Sequence, residues 1–249
     1  MSTAETRILH LHIPKTAGTA IRVAFGLPKH NLHVFPHYSE HLYKDAIADD
    51  YDVFSGHYGY DTAARLGGRI ITVIRNPFDR FVSTYFFWRD LYERGIERSR
   101  HAELAARFPL EEFAQIVDDA AMLAEFHNRA TWQIAGNTNL GYRTEQRSRG
   151  LTDEDVFALA CRNLSGFALV GLQERMRDFK VGLERLFGIF IVIRQVNVTK
   201  ERLALADIPL STRRHIYRWI AVDMALYEQA LAVSFQPHLH PPKPVSAQV

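Results

Sequence analysis

The sequence predicts an α/β fold, with a central parallel sheet flanked by helices, on three observations. Short apolar runs alternate with longer segments of helical period, the pattern of a sheet wrapped by crossover helices. Chemically distinctive residues fall just past three of those runs, Lys15, His57 and Arg75, and ligands of open parallel sheets bind beyond the carboxyl ends of strands. The chain is also long and apolar enough, at 249 residues and 47% hydrophobic, to bury one sizeable core.

Taken in order, residues 8–13 form the first strand and 17–25 the first helix. Residues 33–35 are a marginal short strand and 52–55 the second clear one, followed by a helix over 61–66. Arg69-Ile-Ile-Thr-Val-Ile is a continuous apolar run that reads as a buried parallel strand. The helix after it, 77–94, has its start written out: Asn76 suits the N-cap, Pro77 the first helical position, and Asp79 the reciprocal cap partner. Phe78, Phe81, Val82, Tyr85 and Phe86 make one apolar face at helical spacing, and Ser83 lies off it. Residues 93–107 are rich in Arg and Glu without a clear apolar face and are expected to be a loop. Helices follow over 110–117 and 119–135, the second closed by Gly136. Residues 137–150 carry turn residues and arginines and are again expected to be a loop. Then come a helix (152–163), a strand (167–170), a helix (173–187), a strand (190–196) and a long helix (211–234). Residues 1–235 are expected to form one domain and 236–249 a proline-rich, irregular tail.

Thirty basic against 28 acidic side chains give a formal charge of +2, so no global field points to nucleic acid. Any basic site must be local. The lone Cys161 cannot form an internal disulfide, which fits a reducing compartment. No stretch approaches the roughly 20 apolar residues of a membrane helix, and residues 1–7 lack the basic-then-apolar pattern of a signal peptide.

Pro14-Lys15-Thr16-Ala17-Gly18-Thr19 joins the first strand to the first helix. A turn of this kind converges backbone N–H groups on one oxyanion, the helix start adds about half a positive charge, and Lys15 adds a full one. A nucleoside-triphosphate loop would read Gly, four residues, then Gly-Lys-Ser/Thr. The leading glycine is missing here and the lysine stands three residues before Gly18, so the anion is not expected to be an ATP γ-phosphate. Arg75 and Ser83 supply a second anion grip, the arginine by bidentate charge-assisted bonds and the serine by its hydroxyl. His10 and His12 alternate along the first strand, but with no Cys or acidic cluster beside them they read as structural rather than as metal ligands.

Together, Pro14 to Thr19 and Arg75-Asn76-Pro77 with Ser83 resemble the sulfotransferases that use 3′-phosphoadenosine 5′-phosphosulfate (PAPS), most closely the heparan and dermatan 2-O-sulfotransferase branch and its bacterial relatives. Weaker family-like stretches are Ser55-Gly56-His57, Asn128 to Gly136, Val170 to Arg175 and Val196 to Thr199, so the likeness spans about residues 8–200. The resemblance implies a single-domain, three-layer P-loop-like fold. It implies that Lys15, Thr16, Ala17, Gly18 and Thr19 hold the 5′-phosphosulfate and that Arg75 and Ser83 hold the 3′-phosphate, with Asn197 and Thr199 as further nucleotide contacts. His57 corresponds to that branch's catalytic histidine. Other branches use a glutamate, which keeps Glu40 and Asp61 open as alternative bases. It further implies a small-molecule or glycan hydroxyl acceptor, no required metal and, because the anchored animal relatives have a membrane segment not seen here, a cytoplasmic protein. Arg94, Arg98, Arg100, Arg143, Arg147 and Arg149 are either acceptor contacts or plain surface groups. A kinase or nucleotide hydrolase of similar topology, and a non-catalytic nucleotide-binding module, are the alternatives.

Overall fold

The computed structural model describes residues 6–43, 46–116, 119–137, 139–192, 203 and 205–234. Its centre is a sheet of four parallel strands, β1 (Ile8–Leu11), β2 (Val53–Gly56), β3 (Arg69–Ile74) and β4 (Leu169–Leu172), in the order β2-β1-β3-β4. β1 is paired on both sides, Ile8 lying opposite Val53 on one edge and Arg69 on the other. The marginal strand at 33–35 contributes only an isolated bridge, Val34 to Val53, and a second bridge joins Ser39 to His57. The strand expected at 190–196 is not formed in its described part, where 190–192 are irregular. Residues 193–196, Asn197, Thr199 and the 236–249 tail lie outside the described residues.

Side chains alternate across the pleat, so each strand feeds two cores. Leu9, Leu11, Phe54, Ile74 and Leu172 pack with Trp132, Val156 and Leu226, which come from α7 (Arg129–Ala135), α9 (Asp153–Leu164) and α11 (Leu210–Ser234). Ile8, Val53, Ile71 and Val73 point the other way, onto Ile21 and Phe25 of α1 (Gly18–Phe25) and Phe179 and Leu183 of α10 (Met176–Phe187). That gives the three-layer α/β arrangement. The apolar face of α3 (Pro77–Glu93) builds a third cluster, in which Phe78, Phe81 and Tyr85 meet Phe113, Phe126 and Trp219.

Four expectations about helices and loops need correction. Residues 93–107 are not a loop: α3 runs to Glu93, and α4 (Arg100–Arg107) buries Ala102, Leu104 and Ala105, a strip too small in area to stand out among the arginines. Residues 137–150 hold α8 (Leu140–Ser148), capped by the Asn139 side chain. The helix expected over 119–135 is two, α6 (Ala120–Phe126) and α7, because Asn128 adopts a left-handed φ of 45°. Asn128 is held there by α11: its N–H donates to the Trp219 carbonyl at 2.8 Å, and its Oδ1 accepts from the N–H groups of Val222 and Asp223. The helix expected over 110–117 is a single turn, α5 (Leu110–Phe113). The short helix α2 (Tyr60–Leu66) forms as expected.

Candidate functional site

Lys15, His57 and Arg75 each follow a different strand, β1, β2 and β3, at the carboxyl rim of the sheet. The connection from β1 leads to one side, to β2, and that from β3 to the other, to β4, so the ends of β1 and β3 border a crevice. The two motifs meet there. Arg75 Nη1 donates to the Lys15 carbonyl at 3.2 Å.

The turn from β1 to α1 is tightly wound. Lys15 and Ala17 take left-handed φ values of 68° and 66°, a conformation that costs a non-glycine residue of order 1 to 3 kcal/mol and concentrates at functional sites. Thr16 is buried, and its hydroxyl donates to the Ile13 carbonyl at 2.8 Å, so that proton pins the turn instead of pointing outward. α1 has no side-chain cap. Among the described residues, the N–H groups of residues 16–19 donate to no other backbone carbonyl, which leaves them available to an anion. Gly18 is required by packing, since a Cβ there would run into the ring of the buried His12.

The Lys15 ammonium lies 3.9 Å from the centre of the Phe87 ring. Burial first, and then the charge of Arg75, lower its pKa from the usual 10.5 to about 8, with Glu125 acting in the opposite direction. Ser83 is half-buried two turns into α3, four residues before Phe87 and hence on the same face as the ring under Lys15. The start of that helix is fixed as expected in one half: Asn76 Oδ1 accepts from the N–H groups of Phe78 and Asp79 at 3.0 and 3.3 Å. The reciprocal half is corrected. The Asn76 N–H goes to Glu174, beyond β4, at 2.8 Å, not to Asp79.

His57 is half-buried and anchored twice, its N–H to the Tyr38 carbonyl at 2.8 Å and its Nδ1 to the His12 carbonyl at 3.0 Å. A carbonyl partner requires Nδ1 to carry the proton, which leaves Nε2 with its lone pair. Burial lowers the His57 pKa, against the hydrogen bond to His12, which raises it. The His57 ring packs on those of His12 and Tyr38, at 4.3 and 5.1 Å between centres. Of the alternative bases, Asp61 lies at the surface with its carboxylate against the Tyr142 hydroxyl; partial desolvation raises its pKa and that hydrogen bond opposes the shift, and Glu40 opens a 3-10 turn ending at Tyr43.

His10 and His12 are buried, stacked 5.6 Å apart, with His10 Nδ1 2.7 Å from the Ser55 hydroxyl. Among the described residues no group of three or more His, Cys, Asp or Glu is arranged to hold a metal ion, and no helix is long and apolar enough to cross a membrane. The candidate acceptor arginines are occupied locally. Arg94, Arg100, Arg147 and Arg149 make ion pairs with Asp90, Glu103, Asp153 and Glu145, and Arg98 lies over the Tyr92 ring. Arg143 is buried, donating to the carbonyls of Leu123 and His127 at the α6–α7 break.

Two residues escaped sequence reasoning. The Tyr38 hydroxyl reaches 3.5 Å from Thr19 Oγ1 while its ring lies on His57, so it bridges the anion turn and the imidazole. Glu125, on α6, acts electrostatically on both Lys15 and His57. Neither stands in a motif, and both arrive from segments remote in sequence.

The family model described as Sulfotransferase family matches residues 1–228. No curated protein matches the chain.

Proposed function

The chain belongs to the sulfotransferase family, and from that premise we propose that it moves a sulfuryl group from PAPS to a hydroxyl on a carbohydrate or glycoconjugate. The observation that carries the reading is the direct contact between the two motifs, Arg75 to the Lys15 carbonyl. A strained turn with uncommitted N–H groups and a half-buried lysine suits a phosphosulfate, and an arginine one contact away suits a second phosphate on the same ligand.

In this reading the N–H groups of residues 16–19 and Lys15 hold the 5′ end of the donor, and Arg75 with Ser83 holds its 3′-phosphate. His57 Nε2 accepts the proton of the acceptor hydroxyl as that oxygen attacks sulfur. The S–O bond to the 5′-phosphate breaks in line, and the charge that builds on the departing oxygen falls to Lys15. Preorganised donors of this kind contribute about 3 to 4 kcal/mol each to transition-state stabilisation. Lys15 and the α1 start thus do the work that a magnesium ion does in phosphoryl transfer.

Calorimetric titration tests the donor assignment. Adenosine 3′,5′-bisphosphate is expected to bind without magnesium and more tightly than ADP, and Arg75→Ala to weaken it by about 1.5 to 3 kcal/mol, the worth of hydrogen bonds to a charged group. Equal affinity for ADP, or an unaffected Arg75→Ala variant, contradicts the 3′-phosphate role. Binding without sulfuryl transfer to any acceptor in a cell-extract screen would make the protein a non-catalytic module.

A further inference from the structure

Gln133 is fully buried on α7, and its amide reaches the segment that carries His57 from two sides. Nε2 donates to the His12 carbonyl at 3.0 Å and to the Tyr58 carbonyl at 2.9 Å. The His12 carbonyl is the same oxygen that accepts from His57 Nδ1 at 3.0 Å, and Tyr58 is the residue after His57. Two carbonyl neighbours decide which end of the amide is nitrogen, since a carboxamide oxygen turned toward them would be repelled. Gln133 Oε1 is buried without a partner among the described residues, so the side chain is held through Nε2 alone.

We propose that Gln133 is a positioning residue for His57: by fixing the His12 and Tyr58 carbonyls it holds the imidazole as its Nδ1–H tautomer, with Nε2 open to the acceptor hydroxyl. The proposal rests on the reading of His57 as the base. A carbonyl oxygen has two lone pairs, so the amide and the imidazole are satisfied together. Without the amide, the His12 carbonyl keeps the imidazole as its one hydrogen-bond partner among the described residues, and the Tyr58 carbonyl loses a buried partner. The ring then faces a less firmly held carbonyl, and the preference for one tautomer weakens. Proton transfer is sensitive to such a loss, because a displacement of about 1 Å is enough to slow a positioned reaction about 100-fold.

A matched control lies on the neighbouring helix α9. Asn163, buried on α9, donates through Nδ2 to the carbonyls of Ile134 and Ala135 at 2.9 and 3.1 Å. Like Gln133, it spends one amide nitrogen on two buried carbonyls, here those at the end of α7 and not those beside His57.

The test uses the full-length chain labelled with ¹⁵N, with long-range ring correlations reporting the His57 tautomer and the signals assigned by difference from His57→Asn. At neutral pH the wild type and Asn163→Leu are expected to show His57 as the Nδ1–H form. Gln133→Met and Gln133→Asn, the second keeping an amide too short to span both carbonyls, are expected to show a mixture with the Nε2–H form. In parallel, kcat for sulfuryl transfer falls about 100-fold in both Gln133 variants, while KM for the donor stays unchanged. Should Gln133→Met fail to fold, Gln133→Asn carries the comparison. A wild-type tautomer in the Gln133 variants overturns the proposal, and so does an equal loss of kcat in Asn163→Leu. A tautomer shift in a protein that transfers no sulfuryl group supports the clamp and removes the base role instead.

Discussion

In the proposed reaction Lys15 must be charged to meet an anion and His57 must be neutral to take a proton, and burial moves both titrations downward. His57 is neutral above a value that lies below the usual 6.5, and Lys15 is charged below about 8. In the free protein kcat/KM is therefore bell-shaped, rising with pH through a midpoint under 6.5 and falling near 8. A rate that keeps climbing well above pH 8 would mean that Lys15 does not serve as a cation in turnover. At this scale the sequence was most informative where chemistry sits next to a strand end. Lys15, Arg75 and His57 are read from their own neighbours. The tautomer of His57 is not, because the carbonyl that sets it belongs to His12, 45 positions away. Tyr38 and Gln133 reach the same spot only through the folded chain.

Among the elements, α3 was legible because its cap, its proline and its aromatic face are all local, whereas the break between α6 and α7 depends on α11. Asp223 of α11 accepts from the N–H groups of Ala130 and Thr131 and from the Thr131 hydroxyl, at 3.3, 2.8 and 2.6 Å, and so caps α7. It also stands 3.8 Å from Arg80 of α3, a guanidinium 1% exposed with no hydrogen bond among the described residues. Three helices thus depend on one carboxylate. Asp223→Ala leaves α7 uncapped and Arg80 a buried, unpaired charge, an expected loss of about 3 to 5 kcal/mol by denaturant unfolding. Replacing both, as Arg80→Met with Asp223→Leu, is expected to recover most of it, since burial of the pair is itself costly. A loss under about 1 kcal/mol in the single variant, the scale of an exposed ion pair, would show that the pair contributes only as surface pairs do. The same dependence on remote partners applies to α4, whose short buried strip Ala102, Leu104 and Ala105 is covered by α3 and its neighbours, and to α8, which is tied to the α6–α7 corner through buried Arg143.

For the molecule as a whole, the sheet puts its chemistry at the carboxyl rim and an unusual liability inside. His10 and His12 lie within β1 and just beyond it, buried; burial lowers His10 from 6.5 to about 3 and His12 well below 6.5. Below pH 6.5 the unfolded chain binds protons that the folded one refuses, so stability falls as pH falls, by about 1.4 kcal/mol per pH unit for each such histidine. His10→Asn is expected to flatten the stability profile between about pH 6 and pH 4 by that amount, and an unchanged slope would show that His10 titrates normally. Composition said only that no large field steers a ligand, and the structure brings two cations, Lys15 and Arg75, together where β1 and β3 end. Whether those cations serve one ligand is decided by a crystal of the protein grown with adenosine 3′,5′-bisphosphate. The 5′-phosphate is expected on the N–H groups of residues 16–19 beside Lys15 and the 3′-phosphate on Arg75 and Ser83 of the same protein molecule. A ligand that touches Lys15 without Arg75, or lies away from both, would contradict it.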